Sequence, residues 1–246
     1  MSYPMNFKSY IKESLGVIYY HGYKKFMRDY GNRTLIYHAF GCRLKHDTYG
    51  ISIKIKKFKE HMKYISDNYK VVSAIDYINE KYKSISITID DGYKDTLDAL
   101  EILDLHDIPV TIFITSNFIN KKDYLSDKDL YEVSKLKNVT IGAHGKSHKR
   151  FANLSYSEQK SELEDCKNKI EMVIEDKINS VSYPHGSYNQ KTLDLLNSLQ
   201  FEYAFSSIKG TNNNKTNRYL LRRSEVVSND TLIDLSKKIK GFYDYY

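Results

Sequence analysis

Short β-branched runs alternate with amphipathic stretches along nearly all of this 246-residue chain, and no other feature restricts its fold as much. Apolar runs, alternating or continuous, at 34–40, 71–72, 85–89, 110–114, 139–141, 180–183, 203–205 and 220–227 read as strands. Helical periodicity fills 55–69, 73–78, 95–106, 127–136, 155–174, 190–199 and 231–240 between them. Ser155 and Glu158 have the capping-box spacing that opens a long helix, and Pro109 stops the helix before the 110–114 strand. Parallel strands need such crossovers, so the repeat predicts a parallel sheet with helices outside it. Seven or eight repeats predict closure into a barrel. No linker or compositional break interrupts 34–246, which is expected to form one domain behind a helical extension at 1–33.

Within that extension, Phe7, Tyr10, Ile11, Leu15, Ile18 and Tyr19 recur at helical spacing among Lys8, Lys12, Lys24, Lys25 and Arg28. A basic amphipathic helix suits either a membrane surface or packing on the domain. Gly16 and Gly22 argue against one long helix. The net charge of +7 is dispersed, with no zinc finger, RNA-recognition signature or arginine-rich run, so no nucleic-acid partner is expected. Cys42 and Cys166 have neither metal-type nor redox-type spacing, so a reducing compartment is the default and a single disulfide the alternative. No apolar run has the length of a signal-peptide core or a transmembrane helix. The expected location is the cytoplasm, with peripheral contact at the cytoplasmic face of the inner membrane as one use of the basic helix.

The strand at 85–89 ends in Asp90-Asp91-Gly92. Such turn residues are usually only solvated, but here both carboxylates follow an apolar strand directly, where α/β barrels present their chemistry. Neighbouring side chains on extended backbone diverge, so one carboxylate can hold a metal while the other faces a substrate. His144-Gly145-Lys146-Ser147-His148, after the next apolar strand but one, sets two histidines four positions apart. Asp91, His144 and His148 make a donor set suited to zinc with a position left open, and to Co2+, Ni2+ or Fe2+ as well. Zinc lowers the pKa of a bound water toward about 7 and polarises a carbonyl. Tyr183-Pro184-His185-Gly186 is a third strand end, a tight turn able to aim the His185 N–H at a developing oxyanion.

Taken in order, these motifs resemble the polysaccharide deacetylase family, the NodB-homology or carbohydrate esterase family four proteins. Thr88-Ile89-Asp90-Asp91-Gly92 resembles the family's Thr-Phe-Asp-Asp-Gly, and His144 to His148 its His-(Ser/Thr)-x-x-His. Tyr183-Pro184-His185-Gly186 resembles its Pro-Tyr-Gly turn, and Leu35-Ile36-Tyr37-His38 the Met-Tyr-His entry strand of the exopolysaccharide deacetylase branch. The resemblance runs from about residue 34 to about 235. It implies a distorted (β/α) barrel of about seven strands and a metal-dependent N-deacetylase. On that analogy Asp90 is the general base, Asp91, His144 and His148 hold the metal, and the turn at Tyr183 to Gly186 serves the substrate and oxyanion.

Three departures bear on function. Gly145 stands where the family has Ser or Thr, which removes a hydrogen bond that orients the loop. Ser182 stands where many members carry an arginine beside the base, leaving Arg222 or Arg223 to substitute. No histidine follows His185 to act as the late general acid, so His38 takes that role by analogy with the exopolysaccharide branch, with His185 in reserve. The expected substrate is an N-acetylated sugar in a cell-surface glycan or in its lipid- or nucleotide-linked precursor. The alternative is a catalytically silent relative that binds a glycan or a partner.

Overall fold

Eight parallel strands form the centre of the computed structural model, which describes residues 7–22, 31–42, 44, 47, 49–76 and 83–245. They are β1 (Asn32–Tyr37), β2 (Lys70–Val71), β3 (Ser84–Ile89), β4 (Val110–Ile114), β5 (Val139–Ala143), β6 (Ser180–Ser182), β7 (Tyr203–Phe205) and β8 (Arg223–Glu225). Their spatial order is β7-β6-β5-β4-β3-β1-β8, with β2 paired to the start of β3. The two ends of this order meet where Phe205 bridges Leu221 and the Ser206 N–H donates to the Leu221 carbonyl at 2.8 Å. The result is a nearly closed barrel of the distorted (β/α) type, as the alternation of strands and helices predicts.

Around it lie α2 (Ile55–Asn68), α3 (Thr96–Leu105), α4 (Asp127–Ser134), α5 (Tyr156–Ile174), α6 (Gln190–Ser198) and α7 (Leu232–Lys240); α1 (Phe7–Gly22) precedes the barrel. Capping boxes start four of them, at Ser126, Ser155, Asn189 and Thr231. Each satisfies backbone N–H groups that would otherwise be orphaned, worth about 1 kcal/mol per cap. The helix expected at 73–78 is a turn at 74–76, and 77–82 lie outside the described residues.

In β3 the alternation of isoleucine with Ser and Thr reads as a half-buried strand, yet every residue of it is buried. Ile85, Ile87 and Ile89 join the main core with Phe58, Met62 and Leu100 of the surrounding helices. Ser84, Ser86 and Thr88 take part in a buried polar network. Asn32 Nδ2 donates to Ser84 Oγ at 3.1 Å and to Ser86 Oγ at 2.8 Å, and Thr88 Oγ1 donates to the Leu35 carbonyl at 2.9 Å. Satisfied hydrogen bonds make such burial tolerable. A second, smaller apolar cluster joins Phe113, Phe205, Leu221 and Ala74. It depends on Gly142, where a Cβ would lie 2.6 Å from the Phe113 ring.

The barrel begins at Asn32 rather than at 34, because Asn32 and Arg33 pair with Ser84 and Ile85. Arg33 is buried and grips Asp244 at 2.7 and 2.9 Å, tying the start of β1 to the C-terminal segment. Helix α1 runs through Gly16 without a break and ends at Gly22; residues 23–30 lie outside the described set. It packs on the same C-terminal segment, with Tyr20 stacked 3.9 Å from Phe242 and Lys237 2.7 Å from Glu13. Gly16 permits that approach, since a Cβ there would lie 3.1 Å from the Phe242 carbonyl.

Candidate active site

Asp90 and Asp91 leave β3 at its C-terminal end, and the backbone turns sharply there: Asp91 has φ 76° and Gly92 φ 79°. A non-glycine residue in this left-handed region costs free energy and persists only where its surroundings enforce it. His148 (φ 60°) and His185 (φ 56°) are held the same way, on the loops after β5 and β6. Three strand ends thus deliver their side chains to one place, each by way of an unfavourable turn.

Asp91 and the two histidines converge. Asp91 Oδ1 lies 3.4 Å from His144 Nε2 and 3.2 Å from His148 Nε2, and the donor atoms all fall within 4.8 Å of one another. Asp91 Oδ1 is buried without a hydrogen-bond partner, which is costly unless something else engages it. His144 Nδ1 lies 2.9 Å from the Ser182 carbonyl. A carbonyl only accepts, so the proton sits on Nδ1 and the lone pair of Nε2 faces Asp91. Burial lowers the His144 pKa to about 4, against the opposing pull of Asp90, so the ring is neutral at physiological pH. A carboxylate beside two imidazoles fits a divalent cation of the zinc type.

Asp90 is buried against Arg223, whose Nη1 lies 2.8 Å from Oδ1 and Nη2 2.9 Å from Oδ2. Ser182 Oγ donates to Oδ2 at 3.0 Å. Burial alone would raise the Asp90 pKa, but Arg223 and then His144 outweigh it and hold the carboxyl well below the usual carboxylate range. Arg223 also donates to Thr88 Oγ1 at 3.1 Å and to the Ser206 carbonyl at 3.0 Å, and it lies over Phe113 and Phe205. Every direction of the guanidinium is therefore committed. Of the two arginines expected near the base, only Arg223 reaches it. The Arg222 N–H donates to Asn212, and its guanidinium lies beside Gly210. Ser182, at the position where an arginine is expected, is itself a partner of Asp90.

His38 follows directly on Tyr37, which pairs in register with Ile89, so it stands beside Asp90. The Asp90 N–H donates to the Tyr37 carbonyl at 2.9 Å. His38 is half-buried, and its Nδ1 is a buried nitrogen without a hydrogen-bond partner. His185 is exposed, with its ring 4.5 Å from that of His148. Partial desolvation, then His148 and Arg150, lower its pKa. Pro184 opens the one-turn helix Pro184–Gly186, and Tyr183 is buried with its hydroxyl on the Tyr219 carbonyl at 2.8 Å.

One brace is invisible in sequence. The buried carboxylate of Glu162, on α5, accepts from the Ser147 N–H at 2.8 Å and from the Ser147 hydroxyl. The Glu162 carbonyl accepts from the Lys146 N–H at 3.0 Å. The loop that lacks Ser or Thr at Gly145 is thus held from outside. Gly145 itself sits at φ 74°, packed against Phe151 and Pro184. Nothing in the spacing of Ser147 and Glu162 announces this contact.

A barrel with an Asp-Asp pair at the end of β3 and two histidines beyond the end of β5, on the same rim, defines a hydrolase-type site. The polysaccharide deacetylase family model matches residues 78–204, and the chain belongs to that family. YxkH of Bacillus subtilis, named for the same family, is 27% identical over 203 residues, covering 78% of this chain and 70% of its own. Among solved structures, the deacetylase PplD of Streptococcus pyogenes, in complex with acetate, superposes with a TM-score of 0.75 at 19% identity, over 85% of this chain and 98% of its own. IcaB from Ammonifex degensii superposes with a TM-score of 0.74 at 16% identity, over 86% of this chain and 97% of its own. These likenesses establish the fold. The family is one of carbohydrate deacetylases.

Proposed function

We propose that this chain is a metal-dependent N-deacetylase acting on an N-acetylated sugar of a cell-surface glycan or its lipid- or nucleotide-linked precursor. One observation carries the reading. A carboxylate kept ionised by Arg223 lies 3.8 Å from His144 Nε2, beside the unpartnered oxygen of Asp91. Asp91, His144 and His148 would hold a divalent cation, zinc first, which when bound supplies a Lewis acid for the acetamide carbonyl and for water.

The remaining work falls to side chains. Asp90 Oδ2 faces this group of donors and takes the proton of the attacking water. Its depressed pKa keeps it ready as the anion and lets it return the proton easily. Arg223 and Ser182 fix its orientation. The His185 N–H is the proposed oxyanion donor. His38, beside Asp90 on the neighbouring strand, donates a proton to the leaving amine, and His185 is the reserve for that role.

The test is metal content together with acetate release, for wild type and Asp90→Asn, on free, nucleotide-linked and lipid-linked N-acetylated sugars. Metal at one equivalent in both proteins, with acetate released only by wild type, supports the assignment. Bound metal with no acetate from any of these sugars points to a silent glycan-binding relative. Absence of metal from carefully prepared protein sinks the mechanism.

A peripheral seat at the cytoplasmic face of a membrane is proposed on separate grounds. Helix α1 turns Ile11, Leu15 and Ile18 outward while its other side packs on the C-terminal segment. No described helix is long and apolar enough to cross a membrane.

A further inference from the structure

Lysines that are dispersed in sequence are brought to one side of the barrel by α2 and α7. Residues 54–70 hold six lysines against Glu60 and Asp67, and 232–240 hold three against Asp234. The two helices pack on each other. Between them and the C-terminal segment they leave a pocket of about 360 Å3. Tyr64 of α2, Leu232, Ile233, Ser236 and Lys240 of α7, and Phe242 line it. None of these residues takes part in the site at Asp91.

The wall of this pocket is mostly apolar and uncovered. Ile233 is 69% and Leu232 39% exposed. Single exposed apolar side chains need no explanation, but an apolar hollow among cations does. Half-exposed aromatic rings surround it. Tyr20 stacks 3.9 Å from Phe242, the Tyr64 and Tyr69 rings lie 6.1 Å apart, and Ser236 and Tyr69 hydrogen-bond the Tyr64 hydroxyl. Rings that are apolar in body and polar at the tip suit the headgroup level of a bilayer. Three lysines stand in the last turn of α7. Lys237 is paired with Glu13, and Lys238 with Asp230 and the Glu225 carbonyl. Lys240 is exposed on the pocket wall and has no ion pair among the described residues.

We infer that this pocket receives a hydrocarbon chain of an anionic phospholipid, with the lipid phosphate on Lys240, so that the α2–α7 face is a lipid-binding surface separate from the stripe on α1. It deepens the peripheral seat put forward above and does not depend on the deacetylase reading. The cavity falls within the range of about 300–1,000 Å3 that small-ligand sites occupy. The surrounding lysines repel a cationic amphiphile and attract an anionic one. A lysine ammonium is a compact charge with three donors, which a phosphate can take up from several directions.

The test uses the full chain with vesicles of phosphatidylcholine, alone or mixed with phosphatidylglycerol. Soluble probes are dihexanoyl-phosphatidylglycerol below its micellar concentration and glycerol phosphate. Wild type is compared with Ile233→Glu, Lys240→Glu and Lys240→Arg, with thermal melts to confirm folding. Lys191→Glu, at an exposed position of α6, makes the same charge change away from the pocket. Wild type should bind the mixed vesicles and the short-chain lipid. Ile233→Glu and Lys240→Glu should each weaken both by about ten-fold, while Lys240→Arg and Lys191→Glu bind as wild type does. A loss with Lys191→Glu equal to that with Lys240→Glu reduces the binding to diffuse charge and overturns the pocket. Glycerol phosphate bound as tightly as the short-chain lipid also overturns it, since no chain is then engaged. Vesicle binding that is lost in the Leu15→Glu and Ile18→Glu double variant but unchanged in the pocket variants rejects the pocket and leaves the peripheral seat resting on α1. Short-chain lipid bound in the expected pattern, without vesicle binding, supports the pocket and rejects the seat.

Discussion

Arg223 grips both carboxylate oxygens of Asp90 across the inside of the barrel, at 2.8 and 2.9 Å, with both side chains almost wholly buried. Removing one partner of such a pair leaves an uncompensated buried charge and costs on the order of 3–5 kcal/mol. Arg223→Met is therefore expected to lower the unfolding midpoint strongly. In the fraction that folds, burial would go unopposed by the guanidinium and would raise the Asp90 pKa, so the acidic limb of the pH–rate profile should move to higher pH. Acetate release should fall by about 10²-fold, the lower end of what a general base contributes. A profile with its acidic limb unmoved would show that Asp90 is not the group this limb reports.

The convergence of Asp90, Asp91, His144 and His148 is legible in sequence because each lies at or just beyond the end of an apolar strand, and strand ends of a (β/α) barrel share one rim. Their partners are less so. Arg223 could be named only as one of two neighbouring arginines, since the choice depends on which side chain of β8 points into the barrel. The register of Thr34 with Arg223 decides it. Glu162 acts from a helix, at a spacing set by packing rather than by any local rule. The left-handed turns at Asp91, His148 and His185 are imposed by the surroundings and leave no compositional trace. The polar side of β3 was legible as a pattern but not as an interior, because Ser and Thr look alike whether they face water or a buried network.

Glu162 offers a test of positioning apart from chemistry. Its carboxylate takes both hydrogen bonds of Ser147, and that loop carries His148. Glu162→Gln keeps the volume but sets an amide donor against Ser147. Zinc affinity should drop by about 10–100-fold, as for other groups that orient a metal ligand. The midpoint of the metal-free protein should hardly change. Competition with a chromophoric chelator measures the affinity directly, and an unchanged dissociation constant would reject the role.

His61 predicts an acid-sensitive fold. It is fully buried on α2, with Nδ1 3.2 Å from the Tyr37 hydroxyl. Burial, then Lys57 and Lys238, lower its pKa to about 4. The unfolded imidazole titrates near 6.5, so on acidification the unfolded chain takes up its proton first. The contribution is complete above about pH 6.5 and is lost as pH falls toward about 4, amounting to roughly 3 kcal/mol. His144 is depressed in the same direction in the metal-free chain. His61→Gln should therefore flatten the decline of urea-unfolding stability between these pH values in part. A slope identical to that of wild type would mean that His61 titrates alike in both states.

The outward face of α1 predicts where the protein sits. Ile11, Leu15 and Ile18 are 44%, 48% and 68% exposed at positions i, i+4 and i+7, one stripe along the helix. Tyr20 and Glu13 on the other side are engaged by Phe242 and Lys237. The stripe is therefore left over after the helix has packed. The same segment of sequence carries Lys8, Lys12, Lys24, Lys25 and Arg28, the complement of an anionic lipid surface. Wild type should co-sediment with vesicles rich in phosphatidylglycerol and not with neutral ones, and high salt should weaken the binding. Burial of one such side chain is worth about 1.5–3 kcal/mol, so the double substitution of Leu15→Glu and Ile18→Glu should release the protein from vesicles by at least ten-fold. The melting midpoint should stay, because neither side chain supports the fold. If the double variant bound vesicles as wild type does, the stripe would not be the membrane contact, and electrostatic attraction of the lysines alone would account for any binding.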